Sequence, residues 1–261
     1  MLVLSIDADF FVEPIATDML MDSVDRLAEA EYDVDSEGDV AAFFEERCAL
    51  DARKPVPGVF IRHHDQAFDV IKALAQQHGP VRLMHVDAHA DLGSGDTGYV
   101  YLLSDWLQRP HPRPDPENEH NRMNLGNWLA FAAAGGFIEA IEFVPRHFPP
   151  PESDLFQYYI GPTPETSSAL TFRPLTREEI LYKIPVGHAR AWEFFETKPV
   201  LQATPWHVVA RDSFAIATPP DFVIVCQSPQ FTPASADLVL DLLRRYVCQI
   251  DLGIPLTPPL V

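Results

Sequence analysis

Short runs of apolar, β-prone residues recur along the chain, and each is followed by a polar or turn-forming segment. Continuous apolar runs of four to eight residues are typical of strands buried on both faces of a parallel sheet. The pattern therefore predicts six buried strands: Leu2 to Ile6, Val59 to Ile61, Val81 to Val86, Ile138 to Val144, His207 to Ala210 and Phe222 to Val225.

Amphipathic segments with helical spacing lie between several of these runs. Thr17 is a plausible N-cap for the first, and Gly79-Pro80 ends the third. Because strands and helices alternate, we expect βαβ units and an α/β fold: a three-layer α/β/α sandwich with a mainly parallel sheet. The predicted helices are Thr17 to Ala30, Val40 to Leu50, Gln66 to Gln77, Asn127 to Ala134 and Ser235 to Cys248.

The 25 prolines cluster in the connections between these elements. Proline cannot donate a hydrogen bond within a central sheet, so we interpret the clusters as loops around the rim. No internal repeat and no long linker divides the sequence. At 261 residues, the length suits one large core, and we expect a single domain spanning residues 1–261.

The composition narrows the classes of partner. A formal net charge of -19 argues against a nucleic-acid ligand, because phosphate backbones are bound by clustered Lys and Arg. It suits a cationic substrate better. The three cysteines, Cys48, Cys226 and Cys248, show no paired spacing. With no signal peptide or membrane-spanning apolar run in the sequence, we expect a cytoplasmic protein without a membrane partner.

Two clusters of acidic residues follow predicted strands. Asp7 and Asp9 lie at the end of the first strand, Asp87 and His89 lie at the end of the third, and Asp91 follows where the chain enters a loop. Alternation of side chains places residues i and i+2 on the same side of a strand, and ligands of open parallel sheets bind beyond the carboxyl ends of the strands. Helix capping at Asp7 and Asp9, or a solvated loop at the second cluster, is the alternative to metal binding.

Histidines lie at or near these strand ends. His63 and His64 follow the second strand, and we favour His64 as a metal ligand, although either could support a ligand instead. His85 shares the side of Asp87 but lies deeper, and we expect it to be a core or supporting residue. Four carboxylates and two imidazoles, with no cysteine nearby in sequence, suit Mn²⁺ better than Zn²⁺. Six ligands fit two ions roughly 3.5–4 Å apart.

The motifs formed by these residues resemble those of a known family. Asp87-Ala-His89-Ala-Asp91 and Ser5-Ile-Asp7-Ala-Asp9 are similar to the two metal-binding signatures of the arginase and agmatinase (ureohydrolase) superfamily. Two further motifs, Gly126-Asn-Trp-Leu-Ala-Phe131 and Ser228-Pro-Gln-Phe-Thr-Pro233, extend the resemblance. With them, the sequence most resembles the peptide arginases, which convert arginine to ornithine within ribosomally made peptides. The signature Ser5-Ile-Asp7-Ala-Asp9 opens this chain, whereas its counterpart comes last in ordinary arginases, so an arginase-like fold with permuted strand order is expected.

The resemblance also implies roles for single residues. Asp7 and Asp87 would bridge two Mn²⁺ ions, with His64 and Asp91 completing one site and His89 and Asp9 the other. Asp91 would orient the attacking water and take its proton. The substrate would be an arginine-containing peptide that loses urea. A related hydrolase of a free small molecule, such as agmatine, arginine or an acylated polyamine, and a metal-binding module without turnover are the alternatives.

The remaining candidates are residues that could donate a proton or contact the substrate, and some of them could have a structural role instead. His120 and His63 are the nearby histidines that could give a proton to the leaving amine. Asn127 and Gln227 are candidate substrate contacts, although Asn127 suits a helix N-cap equally well. Cys226, at a predicted strand end, is interpreted as a small buried hydrophobe rather than a nucleophile.

Overall fold

The computed structural model describes residues 1–17, 26–93, 97–119, 121–150, 159, 168–183 and 193–260. Its centre is an eight-stranded sheet in the order β10-β4-β9-β1-β5-β6-β8-β7, and every neighbouring pair is parallel except β7 with β8. The α/β class and the mainly parallel sheet are thereby confirmed. The strands of this sheet are β1 (Leu2–Asp7), β4 (Val56–Ile61), β5 (Val81–Asp87), β6 (Ile138–Pro145), β7 (Ala169–Phe172), β8 (Gln202–Val208), β9 (Phe222–Cys226) and β10 (Val247–Gln249).

Helices cover both faces of the sheet. Side chains that alternate along the strands enter two separate hydrophobic clusters, one packed with α2 and α4 and the other with α1 and α6. A short ribbon of β2 (Val12–Glu13) and β3 (Asp33–Val34) lies outside the sheet. The helices are α1 (Glu37–Ala42, continued by a π-helical turn at Phe43–Arg47), α2 (Gln66–His78), α3 (Gly98–Ser104), α4 (Trp128–Ala134), α5 (Arg177–Lys183) and α6 (Asp237–Leu243).

The alternation also determines where polar residues of β1 and β5 lie. Along β1, Val3 belongs to the cluster under α2 and α4, whereas Leu4 and Ile6 belong to the opposite one. Ser5 and Asp7 therefore share the face of Val3. On β5 the same reasoning places His85 and Asp87 beside them. This face is where the polar residues gather.

Some of the predicted boundaries were wrong. The segment Ser235 to Cys248 is not one helix: α6 ends at Leu243, and Val247–Gln249 forms edge strand β10 beside β4. The strand predicted at His207 to Ala210 begins instead at Gln202 and ends at Val208. Most of the predicted Thr17 to Ala30 helix lies outside the described residues, and residues 26–30 are not helical.

Among the described elements, β7, α3 and α5 were not predicted at all, and neither were the two short strands β2 and β3. Strand β7 is an antiparallel edge with the burial pattern of alternating half-buried and buried residues. Within the described ranges, no helix combines the length and the apolar character that crossing a bilayer requires.

Candidate metal centre

Four neighbouring strands end at the same place. The sheet order places β4, β9, β1 and β5 side by side and parallel, so their carboxyl ends form one edge. Asp7 ends β1, Asp87 ends β5, Cys226 ends β9, and His64 follows β4. Strands that carry ligands at distant points of the sequence thus bring them to one site, as expected for an open parallel sheet.

One part of this site, which we name the inner position, consists of His64, Asp7, Asp87 and Asp91. The Nδ1 atom of His64 lies 2.9 Å from Asp7 Oδ2, 2.9 Å from Asp87 Oδ2 and 3.0 Å from Asp91 Oδ2. All four residues are buried. Yet His64 Nδ1 and Asp87 Oδ2 make no well-aligned hydrogen bond within the described structure. One imidazole nitrogen facing three carboxylates is the arrangement that a cation would satisfy.

The second part, the outer position, consists of His89, Asp9 and Asp87. His89 Nδ1 lies 3.0 Å from Asp9 Oδ2 and 3.9 Å from Asp87 Oδ1. Ligand atoms of the three residues all lie within 4.8 Å of one another. Asp87 faces His64 through Oδ2 and His89 through Oδ1. It therefore contacts both positions, as a bridging carboxylate would.

Both imidazoles are held at the nitrogen that faces away from the carboxylates. His89 Nε2 lies 2.9 Å from the Ala16 carbonyl oxygen. Since that oxygen can only accept, the tautomer with its hydrogen on Nε2 would donate to it and would leave a lone pair at Nδ1 for a cation. His64 Nε2 lies 3.0 Å from the Ser5 hydroxyl. A hydrogen bond at the ring nitrogen that faces away from the metal is how proteins orient metal-binding histidines.

The carboxylates of the centre repel one another. Burial and the charges of Asp9, Asp91 and Asp7 raise the pKa of Asp87 well above its ordinary value. Burial and the charge of Asp7 likewise raise the pKa of Asp9. Burial also acts to raise the pKa of Asp7, but His64 and Ser228 outweigh it and the pKa is lowered. Such an accumulation of buried anionic groups is relieved by a bound cation.

Neighbouring groups hold the carboxylates in place. Ser228 Oγ donates to Asp7 Oδ2 at 2.5 Å, and Trp128 Nε1 donates to Asp91 Oδ2 at 2.5 Å. Asp91 and Ser228 both adopt positive φ, at 50° and 44°. This backbone conformation is uncommon for residues other than glycine and is found at functional sites. The donor set and its support fit a site for one or two divalent cations.

His85 lies beneath the centre, as predicted for a core or supporting residue. Its ring stacks on Phe143, meets Trp128 edge-on and has Nε2 3.5 Å from Asp87 Oδ2. Burial and the neighbouring His64 lower its pKa well below the ordinary value. A neutral imidazole here fills space beside the ligands without adding charge.

A sulfur atom also belongs to this centre, and the sequence analysis had placed no cysteine near it. Cys226 is fully buried, and its Sγ lies within 4.8 Å of ligand atoms of Asp7 and His64. The cause is the register of the sheet, because β9 pairs with β1 so that Cys226 is opposite Asp7. The signal available in sequence was only that Cys226 ends a predicted buried strand.

The predicted substrate contacts are engaged elsewhere. Gln227 is fully buried, and its side-chain amide bonds to Asp237 and to both backbone groups of Leu260. It anchors the segment near residue 260 instead of facing a ligand. Asn127 accepts from the Asn124 amide and donates to the Arg122 carbonyl, so its side chain shapes the turn before α4.

The two candidate proton donors differ. His120 lies outside the described residues. His63 is half-buried beside the centre, and burial lowers its pKa despite the opposing charges of Asp65 and Asp7. His64, not His63, faces the carboxylates, because the chain turns into α2 directly after β4.

The Trp128 contact gives a first prediction. Trp128→Phe keeps a large ring but removes the N–H that orients Asp91, and we expect divalent-ion affinity to fall by about 10–100-fold, as for other outer partners of metal ligands. Isothermal titration with Mn²⁺ measures the change. Trp206→Phe is the matched control, since Trp206 is equally buried and its indole nitrogen bonds to no described residue. Equal affinities in both variants would contradict the role of Trp128.

Comparison of the chain with models of protein families, with curated proteins and with solved structures finds no match.

Proposed function

We propose that the protein is a hydrolase that uses two divalent cations to convert peptide-bound arginine to ornithine and urea. The observation that carries this proposal is the paired arrangement at the strand ends. The Nδ1 atoms of His64 and His89 each face buried carboxylates, and Asp87 contacts both. Two adjacent positions that share a carboxylate are the ligand pattern of two-metal hydrolases.

The inner position would hold one ion through His64, Asp7, Asp87 and Asp91. The outer position would hold the other through His89, Asp9 and the shared carboxylates. A majority of oxygen ligands suits Mn²⁺. When bound, such a pair of ions supplies a water of lowered pKa and neutralises negative charge that develops on the substrate.

The protein's own residues would position the reaction and move its protons. Asp91, held by Trp128 at 2.5 Å, would orient the water and accept its proton. The departing amine must be protonated, because a nitrogen anion is a poor leaving group. We assign that step to His63, which lies half-buried directly before His64; burial lowers the pKa of its imidazole, which favours release of a proton to the amine.

The choice of a peptide substrate has two supports. The motifs Ser228-Pro-Gln-Phe-Thr-Pro233 and Gly126-Asn-Trp-Leu-Ala-Phe131 resemble those of peptide arginases. The net charge of -19 favours capture of a cationic chain at low ionic strength. Free arginine, agmatine or an acylated polyamine is the competing class of substrate, and a metal-binding module without turnover is the competing class of protein.

We therefore predict that arginine peptides are hydrolysed faster than free arginine. Blocking the α-amino and α-carboxyl groups with peptide bonds should raise kcat/KM, because charged termini would meet no dedicated partners. Mass spectrometry of Mn²⁺-loaded protein with arginine peptides should show the mass loss of urea formation. Peptides with lysine in place of arginine serve as the control.

Two other results would each have a distinct meaning. Faster turnover of free arginine or agmatine than of every arginine peptide would refute the peptide substrate and leave the metal centre intact. No turnover of any guanidinium compound by protein that demonstrably holds two ions would refute the hydrolase proposal itself.

A further inference from the structure

The two metal positions differ in the donor atoms around them. Among the described residues, the outer position offers only oxygen and nitrogen, from Asp9, Asp87 and His89. At the inner position the Sγ of Cys226 joins the carboxylate of Asp7 and the imidazole of His64, all within 4.8 Å. Sulfur is a soft donor that selects Zn²⁺ and related ions, whereas carboxylate oxygen suits Mn²⁺. The positions are therefore chemically unlike.

The fold holds Cys226 in this place from both sides. Strand β9 lies between β4 and β1, and Cys226 pairs with Ile61 on one side and Asp7 on the other. The thiol is fully buried. Its Sγ lies 3.2 Å from Ser228 Oγ, which in turn donates to Asp7 Oδ2. The sulfur is thus fixed by the sheet and not by a flexible loop.

A second feature favours a cation at the inner position. His64 is 3% exposed, and its Nδ1 faces the carboxylates yet makes no aligned hydrogen bond within the described structure. This buried atom and the thiol face the same carboxylate, that of Asp7.

We propose that Cys226 is a ligand of the inner ion and that the inner position therefore prefers a thiophilic cation such as Zn²⁺ or Co²⁺. The outer position retains its preference for Mn²⁺, so the centre holds two unlike ions. Coordination forms one metal–sulfur bond, breaks the S–H bond and releases that proton to solvent. The inference requires the metal centre of the proposed function but not hydrolysis of arginine.

The alternative is that the thiol only supports Asp7 through Ser228. In that case the metal would see nitrogen and oxygen alone. The two roles differ in the atoms that surround the bound metal, so a spectroscopic measurement separates them.

The first test uses the unmodified protein loaded with one equivalent of Zn²⁺. X-ray absorption at the zinc edge should show a sulfur neighbour at about 2.3 Å in addition to nitrogen and oxygen at about 2.0–2.2 Å. Loading with Co²⁺ should give a near-ultraviolet charge-transfer band from thiolate to metal. A first shell of nitrogen and oxygen only, in the unmodified protein, would overturn the proposal without any variant.

The second test compares Cys226→Ser with Cys248→Ser. Cys248 is exposed on edge strand β10 and serves as the matched control. The Co²⁺ band should disappear in Cys226→Ser and persist in Cys248→Ser. The preference for Zn²⁺ over Mn²⁺, measured by competition, should fall at least about tenfold in Cys226→Ser alone.

An unchanged band or an unchanged preference in folded Cys226→Ser would contradict ligation by sulfur. If that variant does not fold, the absorption spectrum of the unmodified protein decides the question. Absence of arginine hydrolysis, with a sulfur neighbour present, would refute the proposed substrate and leave the role of Cys226 established.

Discussion

Asp87→Ala should abolish turnover while the protein remains folded. Asp87 is the residue that contacts both metal positions, with Oδ2 2.9 Å and Oδ1 3.9 Å from Nδ1 of His64 and His89, respectively. Under the proposed assignment, its loss would remove an oxygen ligand from each ion. Outer partners of metal ligands already contribute about 10–100-fold, so a shared ligand should lower kcat/KM by more than about 100-fold. The assay is turnover of an arginine peptide under Mn²⁺ saturation, together with the metal content per chain.

The control for this substitution must remove an exposed carboxylate that lies outside the metal centre and supports no other side chain. Glu45 is exposed but accepts a hydrogen bond from the Tyr246 hydroxyl at 2.7 Å. Glu139, exposed near the start of β6, is the better choice, and Glu139→Ala should change activity little. Comparable activity in Asp87→Ala and Glu139→Ala would show that the centre has been assigned to the wrong residues.

Removing the metal should lower the melting temperature by about 10 °C. An ion that binds only the folded chain at 100 to 1,000 times its Kd stabilises it by roughly 3–4 kcal/mol, and each kcal/mol shifts Tm by about 2–4 °C for chains of 150–250 residues. Calorimetry with and without chelator measures the change. A metal-free protein that melts at the same temperature as the loaded one would argue against tight binding.

Metal removal should destabilise the protein, whereas the substitution Asp87→Asn should stabilise the metal-free protein. Burial and the nearby Asp9, Asp91 and Asp7 raise the pKa of Asp87. A folded-state pKa above the unfolded value favours folding at low pH, and that contribution is lost as pH rises. At neutral pH the buried carboxyl group therefore destabilises the metal-free fold. Asparagine removes its charge, and we expect the free energy of unfolding to rise by about 1–3 kcal/mol.

With Mn²⁺ present, Asp87→Asn should instead be less stable than the unmodified protein. The variant lacks a bridging ligand and so loses much of the stabilisation that the metal provides. Chemical denaturation of both proteins, with and without Mn²⁺, tests this crossing of stabilities. If Asp87→Asn is less stable under both conditions, the carboxylates are satisfied by the protein alone.

The sequence was most informative where a strand is buried on both faces. Strands β1 and β5 are buried along almost their whole length, and their predicted limits differ from the observed ones by one residue. Because the last residue of each strand is an aspartate, the same pattern placed Asp7 and Asp87 at the sheet edge. His64 and His63 could not be separated with certainty from sequence, because only the turn into α2 decides which ring faces the carboxylates.

The misread segments have physical explanations. Residues 235–248 contain a helical apolar stripe in α6 followed by Val247, which extends the stripe although the chain has turned into a strand. Strand β10 has only three residues and one buried side chain, too few to show a period. The position of Cys226 depends on which strands are neighbours, and β9 is far from β1 in sequence. Local patterns carry no information on that pairing.

The place of β9 in the sheet affects the order in which the protein can be completed during synthesis. Strand β1 emerges first, but it is flanked by β5 on one side and by β9, Phe222–Cys226, on the other. Until the ribosome has released β9, β1 and β4 cannot have their final neighbour, and the pocket around Asp7 lacks one wall. Contacts between such distant segments make folding slow, and meanwhile they leave apolar side chains and unpaired strand edges exposed. Nascent chains of this protein should therefore depend on chaperones until β9 has emerged from the ribosome.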